Sequence, residues 1–384
     1  MKVCIDARYV FPKMDGIGRY LINLIDKLSE ITVSDENIQF YILEIEKFAE
    51  KSVLRKFDER KNITFIKVPV FPQTIKNHFV GKYFKHLKID IYHYPQFDLP
   101  WFISGAKIVT SILDMNPQKL KEFFPTKLGW IKRYYSILTN WVALKKSDLI
   151  ITISKNTRDE LISFYNYKLP EKIRQVYLGV DERFRQISCE NTEDDRLKLL
   201  QTKYKFNRYF LYVGNNRPHK NLSRVLKAFK LVVKKSNQGL KFVLVGRQLE
   251  NNLDIKTIVK EQNLIDFVIF IEINDEDLTS LYSGADAFIF CSLSEGFGLP
   301  ILEAMAQGTP VITSNISSMK EIADGVGVLV NPYSIEDIEQ KMLHVINNED
   351  FRNQLSYNGL EHVKQFTWEK CAQKTLAIYK ELLK

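Results

Sequence analysis

The sequence predicts an α/β protein of two domains, each a doubly wound, Rossmann-like parallel sheet. Three observations carry that expectation. At 384 residues the chain has the length of two ordinary domains, each able to bury its own core. Short apolar runs alternate with amphipathic stretches along the chain, as strands and crossover helices of a parallel sheet do. Glycines recur where a strand hands over to a helix, at Gly16 and Gly18, at Gly214, and at Gly296 and Gly298. Without a Cβ, the backbone at such places can turn tightly or approach a ligand closely.

Residues 3–6 form the first expected strand. Asp15-Gly16-Ile17-Gly18-Arg19-Tyr20 then opens a helix to about residue 29. A helix N-terminus after a glycine turn suits a phosphate; a plain tight turn explains the two glycines equally well. Strands at 38–43 and 63–68 flank a helix near 48–57. Residues 76–88 read as a basic amphipathic helix, with Ile75, Phe79, Tyr83, Phe84 and Leu87 among four lysines. The strand at 89–94 sets His93 at its carboxyl end, where open α/β sheets bind ligands. A histidine packed under Pro95 and Pro100 is the alternative. The strand at 107–112 leads to Asp114, which either orients an acceptor hydroxyl or caps its own loop. Residues 119–146 mix aromatics with lysines. Most of the apolar ones are packing positions, and the rest suit either an anionic membrane surface or a solvated basic face. Strands at 148–153, followed by Ser154 as N-cap, and at 173–177 complete the first domain. The polar stretch 186–195 is the expected linker, with the boundary at 190/191.

The second domain opens with a strand at 209–213, then Gly214-Asn215-Asn216-Arg217-Pro218-His219-Lys220 and a helix from about Asn221. Two cations beside a glycine turn suit a diphosphate. A strand at 241–245 ends in Gly246 and Arg247, and another follows at 267–270. Asp275-Glu276-Asp277 contains Asp-x-Asp, but the apolar spacing after it makes these first-turn residues of a helix, not metal ligands. Residues 287–291 are a buried strand. The loop Glu295-Gly296-Phe297-Gly298-Leu299 leads into a helix with Pro300 at its start, and a strand follows at 311–313. Glu295 and Glu303 supply carboxylates that accept hydrogen bonds from vicinal hydroxyls. Phosphate-binding turns and hydroxyl acceptors together describe a nucleotide-sugar site. An edge strand at 326–330 and helices at 335–346, 350–366 and 368–383 close the chain.

Charge is uneven. The formal net charge is +9, and residues 191–384 hold 24 basic and 24 acidic residues, so the excess lies wholly in the first half. Residues 76–146 alone hold 12 basic and 4 acidic residues. Four scattered cysteines without metal-ligand spacing fit a reducing compartment. The opening residues read as a strand and not as a signal peptide, and no apolar run is long enough to span a bilayer. A cytoplasmic protein is expected.

The string Glu295-Gly296-Phe297-Gly298-Leu299-Pro300, with Glu303 eight positions after Glu295, resembles the E-x7-E signature of the family-4 retaining glycosyltransferases. The resemblance extends over nearly the whole chain. It implies the GT-B architecture, two Rossmann-like domains facing across a cleft, with the donor in the second domain and the acceptor in the first. It implies that Thr367-Trp368-Glu369-Lys370 starts a final helix crossing back to the first domain. Lys220 and Arg217 would hold the diphosphate, and Glu295 the donor-sugar hydroxyls. The Gly296–Leu299 backbone would line sugar and phosphate, and Glu303 would meet the ribose. Gly214, Asn215, Gly246 and Arg247 would border the nucleotide, with Gly16 and Gly18 approaching the phosphates. Asp114 would join Glu295, Lys220 and Arg217 as a catalytic residue, and Arg19 and His93 would fall on the acceptor or sugar side. Many family members carry arginine where this chain has Asn215, and often histidine where it has Leu113. No metal cofactor is expected.

The glycine and basic motifs look most like bacterial mannosyltransferases of surface-polysaccharide assembly, which implies GDP-mannose as donor and a glycan or lipid-linked glycan as acceptor. A UDP-hexose donor is the rival. Two other classes share part of the pattern. A GT-B epimerase would consume the nucleotide sugar with no acceptor. A basic nucleic-acid-binding protein would have no use for Glu295 and Glu303 beside a neutral second domain.

Overall fold

The computed structural model describes residues 1–12, 16–120, 123–124, 128–185, 192–236, 239–246, 253–273 and 275–384. They form two compact units, Met1–Gly179 with Thr367–Lys384, and Val180–Phe366. The division falls before the 190/191 boundary because residues 180–184 pack with the second unit. Val180 donates its N–H to Phe366 O at 3.1 Å, and Phe184 meets Tyr282 edge-to-face. Residues 186–191, most of the polar linker stretch, lie outside the described residues.

The first unit has seven parallel strands: β1 Lys2–Asp6, β2 Gln39–Ile45, β3 Ile63–Val68, β4 Ile91–Tyr94, β5 Lys107–Ile112, β6 Leu149–Thr152 and β7 Ile173–Gln175. Their order is β3-β2-β1-β4-β5-β6-β7. The second unit has six: β8 Tyr209–Val213, β9 Lys241–Val245, β10 Val268–Ile271, β11 Ala287–Phe290, β12 Val311–Ser314 and β13 Val328–Val330. Their order is β10-β9-β8-β11-β12-β13. Every residue of β4, β6, β11 and β12 is buried. That follows from helices covering both faces of a parallel sheet, and it explains why β11 reads as an unbroken apolar run. In each sheet the order reverses once, between β1 and β4 and between β8 and β11. Ligands of open α/β sheets sit at the carboxyl ends of such a pair.

In the first unit, helix Gly16–Ile31 buries Leu21, Leu24, Ile25 and Leu28 along one stripe. Helix Trp368–Leu382 packs on it, with the Tyr20 and Trp368 rings 6.4 Å apart, and the Thr367 side chain caps the start of the latter by accepting from Lys370 N–H at 3.0 Å. A Cβ on Gly179 would stand 2.0 Å from the Trp368 nitrogen, so only glycine fits there.

Two expected helices are tighter and shorter. Around 48–57 the chain makes 3₁₀ segments Glu46–Lys51 and Val53–Phe57, the second capped by Ser52. Residues 76–88 form 3₁₀ segments Ile75–Tyr83 and Lys85–Leu87. There the buried residues are Asn77, His78, Val80 and Gly81, whereas Ile75 and Phe79 of the expected apolar stripe are exposed. Gly81 also lies against Phe102, whose carbonyl oxygen would be 2.7 Å from a Cβ. The described part of 119–146 that forms a long helix is Gly129–Lys146.

A buried polar network fills the carboxyl ends of β1 and β4. Arg8, fully buried, donates to Asp6 (Nη2–Oδ2 2.6 Å, Nε–Oδ1 2.8 Å), to Asn77 Oδ1 (2.7 Å) and to Val70 O (3.2 Å). Tyr92 donates to the same Asp6 carboxylate at 2.5 Å. Beside it Asp98 accepts from Tyr9 at 2.6 Å and Tyr94 at 3.0 Å. Burial pushes the Asp98 carboxyl upward, and these hydroxyls work against that shift.

Candidate active site

The second unit builds its site at the β8–β11 switch point. β8 ends in Gly214, whose φ of +153° favours glycine and whose Cβ would stand 3.0 Å from the Tyr212 hydroxyl. That hydroxyl donates to Asn215 O at 2.6 Å and holds the turn. Asn215 Oδ1 accepts the Arg217 N–H at 3.2 Å, and a single 3₁₀ turn, Pro218–Lys220, follows. Asn221, at φ +60°, joins this turn to helix Leu222–Lys235. Its side chain donates to Cys291 O (3.0 Å) and Pro332 O (2.8 Å), and Leu293 N–H reaches His219 O at 2.7 Å. Three hydrogen bonds therefore tie the turn after β8 to neighbouring loops, two of them to the one after β11.

Lys220 is the result of that tie. Its Nζ lies 2.6 Å from Glu295 Oε1 and 4.9 Å from the centre of the Phe290 ring. The two side chains are only 14% and 12% exposed. The Glu295 backbone is itself fixed. Its N–H donates to Ser317 Oγ at 3.2 Å, and its carbonyl accepts from Ser317 (3.1 Å) and Ser318 (2.9 Å). Ser317 holds φ +59°, a conformation that costs a non-glycine residue about 1–3 kcal/mol unless its surroundings enforce it. Gly298, at φ +105°, turns the chain into helix Leu299–Ala306. Phe297 points inward and packs on Phe366, so what this part of the loop can offer a ligand is its backbone. Glu303 is buried in the helix and accepts a hydrogen bond from Tyr282 at 3.1 Å.

The structure thus brings Lys220 and Glu295 into direct contact, with Gly214, Asn215 and Arg217 on one turn and Gly296–Leu299 on the adjoining loop. Gly246 ends β9 beside them, since Gly214 N–H bonds Val245 O at 2.9 Å. Arg247 lies outside the described residues. A lysine, two glycine turns and a carboxylate at one switch point can hold a diphosphate next to a hydroxylated sugar. Tyr212, Asn221, Ser317 and Ser318 were not legible as site-supporting residues, because hydroxyl and amide contacts across the sheet leave no spacing in the sequence.

The first unit places its candidates separately. Gly16, Gly18 and Arg19 occupy the first turn of helix Gly16–Ile31, with Gly16 exposed and Gly18 buried. Asp114 Oδ1 accepts the Asn116 N–H at 2.9 Å, the loop-capping arrangement. His93 is a correction. It lies inside the sheet, paired in register with Ile5 and Val109, and is fully buried. Its ring nitrogens meet Tyr379 Oη at 2.5 Å and Ser111 Oγ at 2.7 Å. It is a core histidine under the C-terminal helix, out of reach of an acceptor.

Burial lowers the His93 pKa to about 3. Below the ordinary value of about 6.5 the unfolded chain takes up a proton that the folded chain refuses. The stabilisation is complete above that value and falls by up to about 1.4 kcal/mol per pH unit as pH drops toward the folded pKa. Urea unfolding compared between neutral and mildly acidic pH is expected to show this slope in the wild type. His93→Gln is expected to flatten it, and equal slopes would contradict the buried neutral histidine.

Comparison with known proteins gives the arrangement a setting. Residues 14–184 match the family model described as Glycosyltransferase Family 4, and residues 196–362 match that described as Glycosyl transferases group 1. The chain is 27% identical over 393 residues to O-antigen chain mannosyltransferase B of Escherichia coli, with 100% of both chains covered. It is 27% identical over 295 residues to the E. coli serotype-specific mannosyltransferase WbdA, which covers 75% of this chain and 34% of that longer one. Anabaena HepE, crystallised with UDP and glucose, has a TM-score of 0.75 at 16% identity, covering 99% of this chain and 100% of HepE. That last likeness is one of fold, the GT-B fold.

Proposed function

Because this chain belongs to the glycosyltransferases, a family-4 domain followed by a group-1 domain, we propose that it moves mannose from GDP-mannose onto a glycan or lipid-linked glycan in surface-polysaccharide assembly. The observation that carries the reading is the Lys220–Glu295 contact between two glycine turns at the β8–β11 switch point. The choice of mannose leans on the mannosyltransferases that the chain resembles. A UDP-hexose donor is the second reading, favoured by the UDP and glucose in the HepE structure.

In this reading Lys220 and Arg217 neutralise the diphosphate as its bond to the sugar carbon breaks. The departing charge is then stabilised by groups already in place. Glu295 accepts from the sugar hydroxyls, and Glu303 from the ribose. The acceptor oxygen forms the new bond on the face the diphosphate leaves, so configuration is retained, and its proton passes to a diphosphate oxygen. Positioning and charge carry the rate, with no dedicated protein base. The reading puts the enzyme in the cytoplasm, at the inner face of the membrane when the acceptor is lipid-linked.

The test is nucleotide release from GDP-mannose and from UDP-glucose in the presence of a soluble surface-polysaccharide fragment, with the product anomer read by NMR. GDP release coupled to an α-mannosyl product is expected. UDP release alone would favour the second reading, and release of neither would overturn both.

A further inference from the structure

We infer that helix Gly129–Lys146 of the first unit docks on an anionic lipid bilayer, its aromatic face in the interfacial layer and its lysines against the lipid phosphates. This deepens the proposed function, since it rests on an acceptor carried by lipid.

The helix is amphipathic in the wrong sense for water. It buries Ser136, Thr139, Asn140, Ala143 and Leu144. It exposes Trp130 at 61%, Tyr134 at 63% and Trp141 at 47%, with Ile131 and Leu138 also outward. At about 100° per residue, positions 130, 131, 134, 138, 141 and 145 fall on one arc of the helix. A water-facing helix would put its small polar residues outward and its tryptophans inward. Tryptophan and tyrosine, an apolar body with a polar edge, suit the membrane interface.

Charge settles which lipid. The helix carries Lys132, Arg133, Lys145 and Lys146 and no acidic residue. Lys145 lies over the Trp141 ring at 5.6 Å. Lys146 lies 6.0 Å from the Phe102 ring, which stacks on Phe79 at 4.9 Å. Both rings are exposed, as are Ile75, Lys76, Lys82, Lys85 and Lys88 of the neighbouring 3₁₀ segments. The aromatic arc thus continues into a second apolar pair through a lysine. Lysines around exposed aromatic rings complement an anionic headgroup layer with an apolar interior beneath it. A nucleic acid would call for charge along the leading face itself, which here is apolar.

The experiment is co-sedimentation of the full chain with phosphatidylcholine vesicles, with and without phosphatidylglycerol. Wild type is expected to bind only where phosphatidylglycerol is present. Trp130→Ser/Trp141→Ser is expected to lose about tenfold or more in binding. Lys145→Glu/Lys146→Glu is expected to abolish the phosphatidylglycerol dependence. Both variants should release nucleotide at the wild-type rate on a soluble acceptor, which also shows that they fold. Wild type that stays in the supernatant, or variants that bind as it does, would overturn the inference. So would a wild-type dimer in sedimentation velocity that the tryptophan variant dissociates, because the face would then be a contact between copies. Vesicle binding without any nucleotide release would overturn the proposed reaction and leave this surface standing.

Discussion

Lys220→Ala is expected to slow nucleotide release and transfer by about two to three orders of magnitude, the usual cost of removing one preorganised charge stabiliser. The Lys220 ammonium is held 2.6 Å from Glu295 and over the Phe290 ring, and the turn that presents it is tied down through Asn221 and His219. The variant leaves Glu295 without that partner, but the carboxylate keeps some access to water, so the fold should survive. Glu295→Ala is expected to be comparably slow, for loss of the sugar-hydroxyl acceptor. Initial rates with saturating donor, alongside circular dichroism and melting curves, check both. A folded Lys220→Ala enzyme with near-normal turnover would refute the assignment.

Arg8→Ala is expected to destabilise the first unit by about 3–5 kcal/mol, because it strands a buried carboxylate. Asp6 and Arg8 are both fully buried, and Asp6 would be left with the Tyr92 hydroxyl and its neighbouring backbone. Asn77 and the Val70 carbonyl would lose a donor as well. Replacing both partners with apolar residues, Asp6→Leu/Arg8→Met, should recover part of the loss, since a buried pair as a whole is worth far less than the cost of breaking it. Urea unfolding midpoints measure both. A loss below about 1 kcal/mol for Arg8→Ala would place the pair with exposed ion pairs instead.

The sheets were legible because burial on both faces turns a parallel strand into an apolar run, as in Ala287–Phe290. The two turns of the second unit were legible because glycine and proline leave distinct marks. The E-x7-E string pointed to Glu295 through its neighbours. What stayed hidden depends on contacts between distant segments. The 76–88 segment has helix-like spacing, yet Gly81 must pass against Phe102, and that constraint lies outside the segment. His93 sits near a strand end, and nothing local tells that Tyr379, far along the chain, covers it. The Ser317 and Ser318 hydroxyls hold the Glu295 backbone from the loop after a different strand. Composition puts the boundary within 186–195, whereas Phe184 belongs to the second unit, its ring edge-to-face with Tyr282 and its carbonyl accepting from the Gln307 side chain.

The Lys220–Glu295 site of the second unit is expected to hold a nucleoside diphosphate. Calorimetric titration with GDP, UDP and ADP, first without and then with Mg²⁺, on wild type and Lys220→Ala, tests it most directly. GDP is expected to bind the wild type without metal, and Lys220→Ala to weaken it at least about tenfold, the loss of one charge-assisted contact. Equal GDP affinity in the two proteins, or no nucleotide bound by either, would contradict it.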